Sequence, residues 1–139
     1  MLESRGGLHD LVVADLYCGS GALGIEALSR GAAKCYFYDA DALCLAAAKT
    51  NLSPLGLEGE AVYTKATLPL WTPPPDIDLV LADPPYGPLD LASLLKGVRA
   101  QRVVIENDRH MEAPAAWVVT KTKRYGTTLV TMLEPEEVA

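Results

Sequence analysis

The sequence predicts a doubly wound α/β fold: a seven-stranded, mostly parallel sheet with an antiparallel last strand and helices on both faces. Three observations carry that expectation. Short apolar runs alternate with stretches of helical spacing, the pattern of strand–helix–strand units. The first strand–helix junction is a glycine-rich turn. The last two apolar runs are joined by a short polar connection, which suits a hairpin and not a parallel crossover.

The elements follow in order. Residues 11–17 (LVVADLY) form a short apolar run ending at glycines, which marks a buried strand. Residues 21–30 (GALGIEALSR) carry Leu23, Ala27 and Leu28 at helical spacing, and Gly31 stands where a helix closes in the left-handed conformation. Residues 34–38 (KCYFY) form the second strand, closed by Asp39. A helix is expected from about Asp41, its N-cap, to Leu52, with Pro54 just beyond. Residues 60–64 are a weaker third strand. Residues 68–75 (LPLWTPPP) form a rigid loop, because three consecutive prolines remove donors and fix φ. Residues 77–82 (IDLVLA) make the fourth strand and end in D-P-P-Y. Residues 89–98 read as a helix, 102–106 as the fifth strand, 117–120 as the sixth and 127–133 as the seventh, with K-T-K-R-Y-G as the turn before it. No repeat, linker or low-complexity tract divides residues 1–139, so one domain is expected.

Composition narrows the class of function. The chain has 139 residues, half of them hydrophobic, and a net charge of −6. That length suits one core. No apolar run approaches the roughly 18 residues that span a bilayer, and no basic segment leads into an apolar stretch, so a cytoplasmic chain without a membrane partner is expected. The acidic balance argues against a free-standing nucleic-acid binder. It leaves room for an enzyme that meets nucleic acid through one local patch. Cys18, Cys35 and Cys44 lack C-x-x-C spacing and read as small buried hydrophobes. With only His9 and His110 beside them, no metal site is expected.

The glycine turn, residues 19–24 (GSGALG), matches G-x-G-x-x-G, a pattern often taken for dinucleotide binding. Asp39 ends the second strand twenty positions after Gly19, the spacing at which an acid receives ribose hydroxyls. A nucleoside is therefore favoured, but NAD and S-adenosylmethionine both carry an adenosine ribose. Asp15 separates them. An anion before a loop meant for pyrophosphate would repel it, against the pull of the helix dipole. The same anion suits a ligand with an ammonium and a sulfonium. Asp15, Gly19, Gly21 and Asp39 together favour S-adenosylmethionine; the bland alternative is that the glycines serve only a tight turn.

The second motif is Asp83-Pro84-Pro85-Tyr86. An exocyclic amine on a base is a poor nucleophile, because its lone pair is delocalised. Acceptors that favour its developing positive charge speed its reaction. The Asp83 carboxylate can accept one N–H and the Pro84 carbonyl the other, while Pro85 stiffens the turn. Tyr86 offers a face for a planar base, worth about 1–3 kcal/mol.

With DLYCGSGALGIEALSRGA and DPPYG both in place, the chain resembles the RsmD-type 16S ribosomal RNA guanine-N2 methyltransferases. The resemblance runs from about residue 1 to 133 and takes in V-I-E-N and K-R-Y-G-T-T-L. It implies a Rossmann-like class I methyltransferase fold that binds S-adenosylmethionine and methylates the exocyclic amine of one guanine in small-subunit ribosomal RNA, the base being presented out of its stack. It implies a monomer acting on 16S RNA within a small-subunit assembly particle. Asp15, Tyr17, Gly19, Ser20 and Gly21 then fall on the methionine-binding loop, Asp39 and Ala40 at the ribose, and Asp83, Pro84, Pro85 and Tyr86 on the catalytic turn. Asn51 is read as structural.

Two departures stand out. Similar proteins place Asp or Asn before the alanine that follows the third strand, at the adenine amine; this chain has Lys65-Ala66, and lysine offers no acceptor. Ala66 remains a cofactor candidate, with Thr64 or a backbone carbonyl as substitute acceptors. Similar proteins also carry a basic segment before the first motif, whereas this chain begins at Met1-Leu2-Glu3, so an N-terminally truncated chain of weak activity is expected. Lys121, Lys123, Arg124 and Tyr125 are the RNA-facing candidates, with Arg109 behind them; a solvated turn is the alternative. DNA adenine or protein glutamine methylation shares the D/N-P-P-Y turn and remains open, as does a non-catalytic nucleoside-binding module. A NAD-dependent oxidoreductase leaves Asp15 and D-P-P-Y unexplained.

Overall fold

A computed structural model describes residues 7–137. The seven strands form one sheet in the order β3-β2-β1-β4-β5-β7-β6. β1 (Val12–Leu16) leads through the glycine turn into α1 (Ala22–Ser29) and back to β2 (Lys34–Asp39). α2 (Ala42–Leu52) then returns the chain to β3 (Glu60–Lys65), the far edge. The loop rich in proline carries the chain across the sheet to β4 (Leu79–Ala82), on the other side of β1. α3 (Leu91–Leu95) leads to β5 (Arg102–Asn107). The hairpin of β6 (Trp117–Tyr125) and β7 (Thr128–Pro135) completes the sheet, with β7 antiparallel to both neighbours. The expected antiparallel strand is therefore the last in the chain but is inserted between β5 and the edge strand β6.

Each face of the sheet buries its own core, as alternation along the strands requires. Val13, Cys35, Phe37, Leu81, Val104 and Val130 point to the side covered by α1 and α2. Leu16, Tyr38, Val80, Val103, Ile105 and Leu133 point to the side covered by α3 and the loop bearing Leu68 and Trp71. Trp71 docks there through its indole N–H, which donates to the Leu94 carbonyl at 2.8 Å.

Local signals in the chain set the element ends. Gly31, at φ 99°, closes α1 while its N–H and that of Ala32 reach back to the Leu28 and Ala27 carbonyls. Asp41 caps α2 by accepting the Leu43 N–H at 2.8 Å. Two expectations need correction. The helix read over residues 89–98 spans only Leu91–Leu95: Asp90 caps it, and Lys96 is already extended before Gly97 at φ 77°. Lys121, Lys123, Arg124 and Tyr125 do not form a turn. They are the last residues of the nine-residue strand β6, and Gly126 with Thr127 makes the connection. Threonine, tyrosine and the long basic stems pair well along a solvated edge, so polarity there marks exposure and not a bend. The expectation about Met1, Leu2 and Glu3 lies outside the described residues.

Candidate active site

β1 and β4 are neighbours, yet their connections leave in opposite directions. At such a switch point the strand ends part and leave a crevice for a ligand. Here the crevice is a cleft of about 460 Å³ lined by Tyr17, Asp39, Ala40, Leu68, Asp83, Pro84 and Pro85. The ends of β1, β2 and β4 thus bring the two sequence motifs to one place.

The glycine loop is held from several sides. Tyr17 follows β1 at φ 59°, a strained backbone for a tyrosine, and such strain gathers at functional sites. The Gly19 N–H donates to Asp39 Oδ2 at 3.0 Å, and the Asp41 N–H donates to Oδ1 at 2.9 Å. Asp39 thereby ties the loop after β1 to the start of α2. The exposed Ser20 offers its carbonyl to Asn51 Nδ2 at 3.0 Å, so the structural reading of Asn51 has a specific content: it anchors the loop. Gly21 caps α1 at φ 88°, where a Cβ would stand 2.8 Å from that of Ala48. Around Gly19, by contrast, a Cβ would meet nothing within 4 Å, so the loop has room beside it.

Asp15 stands near the end of β1, just before the glycine loop. Its carboxyl is 1% exposed and sits beneath the loop, not on the cleft wall. Oδ2 accepts the Gly24 N–H at 2.9 Å, and Oδ1 has no partner among the described residues. Burial, with smaller contributions from Asp83 and Asp39, outweighs that bond and pushes the carboxyl up to about 7. The first turn of α1 holds the acid because Gly24 brings the helix down onto β2; a Cβ at Gly24 would stand 2.7 Å from Cys35 Sγ and closer still to the Phe37 ring. Ala66 also lies off the cleft lining, half-buried, its N–H donating to the Asp39 carbonyl at 3.0 Å. Lys65 is exposed, paired in register with Asp39.

At the end of β4, Asp83 stands at the open mouth of the cleft, Pro84 is buried and Tyr86 is exposed. Partial burial raises the Asp83 carboxyl above its ordinary value. The Tyr86 hydroxyl is hydrogen-bonded to the Thr128 hydroxyl on β7. A residue that motif reading passes over completes the turn. Asn107, 1% exposed at the end of β5, donates from Nδ2 to the Gly87 carbonyl at 3.2 Å and accepts the Gly87 N–H at 3.4 Å. It clamps the residue after D-P-P-Y from both sides. Its signal in the chain is the end of the V-I-E-N segment, an asparagine closing an apolar strand.

A second cavity, about 480 Å³, lies between α1 and the ends of β4, β5 and β7. Leu81, Ala82, Val104 and Val130 are its buried apolar residues, and Glu26, Arg30, Glu106, Tyr125 and Thr128 bring polar groups to it. Beyond it, a bulge between Val119 and Lys121 sets which way β6 side chains point. Lys121, Lys123 and Tyr125 pair with Met132, Val130 and Thr128 and share the α1 face, whereas Arg124 pairs with Leu129 and takes the other. Lys123 lies 5.1 Å from the Tyr125 ring centre. Arg109 pairs with Asp108 at 3.1 Å in the loop after β5. Burial pushes the Cys18 thiol up to about 12, which keeps it protonated at neutral pH.

Comparison with known proteins agrees with this architecture. The model of a family described as Conserved hypothetical protein 95 matches residues 1–134. YlbH of Bacillus subtilis (strain 168) is 35% identical over 129 residues, covering 82% of this chain and 70% of YlbH. Ribosomal RNA small subunit methyltransferase D of Haemophilus influenzae is 31% identical over 134 residues, covering 86% of this chain and 69% of that protein. The solved structure of a ribosomal protein L11 methylase from Lactobacillus delbrueckii subsp. bulgaricus superposes with a TM-score of 0.77 at 20% identity, covering 96% of this chain and 74% of the other. The shared fold is that of class I methyltransferases.

Proposed function

The chain belongs to the Conserved hypothetical protein 95 family, the RsmD-type family that its motifs resemble, and from that footing we propose that it transfers a methyl group from S-adenosylmethionine to the exocyclic N2 amine of a guanine in small-subunit (16S) ribosomal RNA. One observation carries the reading. Asp83, Pro84 and Pro85 line the same cleft as Asp39 and Tyr17, so an amine-binding turn and a nucleoside-binding acid serve one space.

The residues present fit the methyl donor. Open space beside Gly19 admits a ligand close to the loop backbone. Asp39 receives two backbone N–H groups, and a carboxylate has about four acceptor positions, so ribose hydroxyls still find partners on it. The buried Asp15 has one oxygen unpartnered, and a cationic ligand above it would favour the ionised carboxylate that burial otherwise disfavours, whereas pyrophosphate would not. Tyr17 and Ala40 border the same space, and Gly19, Ser20 and Gly21 form the loop around it. Bound there, S-adenosylmethionine supplies an electrophilic methyl on a cationic sulfur.

The chain's own groups then prepare the acceptor. Asp83 accepts one N–H of the guanine amine and the Pro84 carbonyl accepts the other, which concentrates the lone pair on nitrogen and holds it in line. Asp83 receives the proton that the amine sheds, and its raised affinity for a proton favours that role. Tyr86, held by Thr128, offers its ring to the unstacked base. Lys121, Lys123 and Tyr125 line one path for the RNA backbone. The reading has a single copy of the chain meeting RNA within an assembly particle. Among the described residues, no helix is long and apolar enough to cross a membrane.

The test is transfer of labelled methyl from S-adenosylmethionine to small-subunit RNA or particles from a strain lacking the enzyme, followed by digestion to nucleosides. Label in N2-methylguanosine, lost with Asp83→Ala, is the expected result. Label in N6-methyladenosine, or cofactor binding with no transfer to any RNA, contradicts the proposal.

A further inference from the structure

The Asp83 turn explains how an amine is held but not why that amine should belong to guanine. Adenine also offers an exocyclic N–H pair. The two bases differ next door: guanine N1 carries a hydrogen, whereas adenine N1 carries a lone pair. A guanine reader therefore needs a second acceptor beside Asp83.

Glu106 stands there. Ala82 pairs with Ile105 in parallel register, so the next residues along the two strands, Asp83 and Glu106, are neighbours at the sheet's end. Val104 faces α1, and alternation puts Glu106 on that face, while Asp83, one residue past the end of β4, lines the adjoining cleft. Glu106 lines the second cavity with Tyr125 and Thr128, and Thr128 holds the Tyr86 hydroxyl. The carboxylate is half-buried, and among the described residues no hydrogen bond or ion pair engages it. Burial and the nearby Asp83 both raise its pKa. An acid kept partly desolvated, without a donor and next to another acid costs stability, and such groups mark functional positions. Its missing partner is a donor.

Resting on the guanine reading above, we propose that Glu106 is a specificity-determining residue whose carboxylate accepts the N1–H of the target guanine while Asp83 and the Pro84 carbonyl take the N2 amine. Three acceptors then face three donors on one edge of the base. A base with a lone pair at N1 meets carboxylate repulsion instead.

The experiment uses small-subunit RNA carrying either guanine or 2,6-diaminopurine at the position that the wild-type chain labels. Diaminopurine keeps the N2 amine but has a bare acceptor at N1. The wild type is expected to favour guanine in kcat/KM by about tenfold to a hundredfold, the range for a hydrogen bond to a charged group and its mismatch. Glu106→Gln, whose amide can accept from guanine or donate to diaminopurine, brings the ratio to within about threefold of unity or inverts it. Glu106→Ala lowers guanine transfer without gain on diaminopurine. Equilibrium binding of the two RNAs without methyl donor follows the same order, and thermal midpoints of both variants near that of the wild type exclude misfolding. An unchanged base preference in Glu106→Gln overturns this inference and leaves guanine transfer standing. Absence of transfer to guanine by the wild type removes the reading beneath it, and the inference with it.

Discussion

At the scale of single residues, the site is organised by side chains whose groups are half satisfied. Asp15 is the clearest: one oxygen bonded to Gly24, the other unpartnered, and the whole carboxyl buried. Its pKa rises from 3.8 to about 7, so between those values the folded chain holds a proton that the unfolded chain has released. Stability from this group is therefore fully present below pH ~4 and is lost as pH rises through about 7. Asp15→Asn removes the titration while keeping an acceptor for Gly24. The thermal midpoint of the variant relative to wild type should rise by several degrees between about pH 5 and pH 8 and level off above; a difference flat in pH would contradict the assignment. Asn107 supports a second prediction. Asn107→Ala strips both bonds from Gly87, costing about 1–3 kcal/mol in a urea melt. Displacement of the Asp83 turn should also lower kcat by about tenfold to a hundredfold with little change in the KM for S-adenosylmethionine. An unchanged kcat would make Asn107 a packing residue only.

At the scale of elements, α1 and β6 carry the testable content. α1 approaches β2 closely because Gly24 has no Cβ, and the same glycine supplies the N–H that holds Asp15. Gly24→Ala forces a methyl to 2.7 Å from Cys35 Sγ and harder against Phe37, so the helix must shift. The expected cost is about 1–3 kcal/mol in denaturant stability, with a loss of S-adenosylmethionine affinity. Retained stability would mean that the strand yields instead. On β6, Lys121→Glu with Lys123→Glu should weaken RNA binding and reduce the salt slope of its affinity, by about one unit for each phosphate that the variant no longer neutralises. Arg124→Glu, on the opposite face, should change it less. Equal effects from both faces would contradict a path along the α1 side.

These elements also mark where the chain is legible. β1, β2, β4 and β5 lie within buried parallel pairs, where apolar runs have one interpretation. Asp41, Gly31 and the D-P-P-Y turn announce themselves by local chemistry. β6 runs beyond its expected end because an exposed edge strand needs no apolar alternation, and its bulge disrupts what alternation exists. V-I-E-N contains Glu106 and Asn107, but what these two residues touch, and the burial of Asp15, depend on pairing between strands far apart in the chain.

At the scale of the whole molecule, the sheet order does the assembling. Chain reversal at β1 brings residues more than forty positions apart onto one rim: Asp39 at the end of β2 and Asp83 at the end of β4 line one cleft. Under the proposed function their work is separate: nucleoside binding for Asp39 and amine chemistry for Asp83. S-adenosylmethionine affinity and single-turnover methyl transfer, measured on the same Asp83→Ala sample, test that division most directly. The expected result is affinity within about threefold of wild type and a transfer rate lower by about a hundredfold or more. A transfer rate unchanged from wild type, or one that falls only as far as cofactor affinity falls, would contradict it.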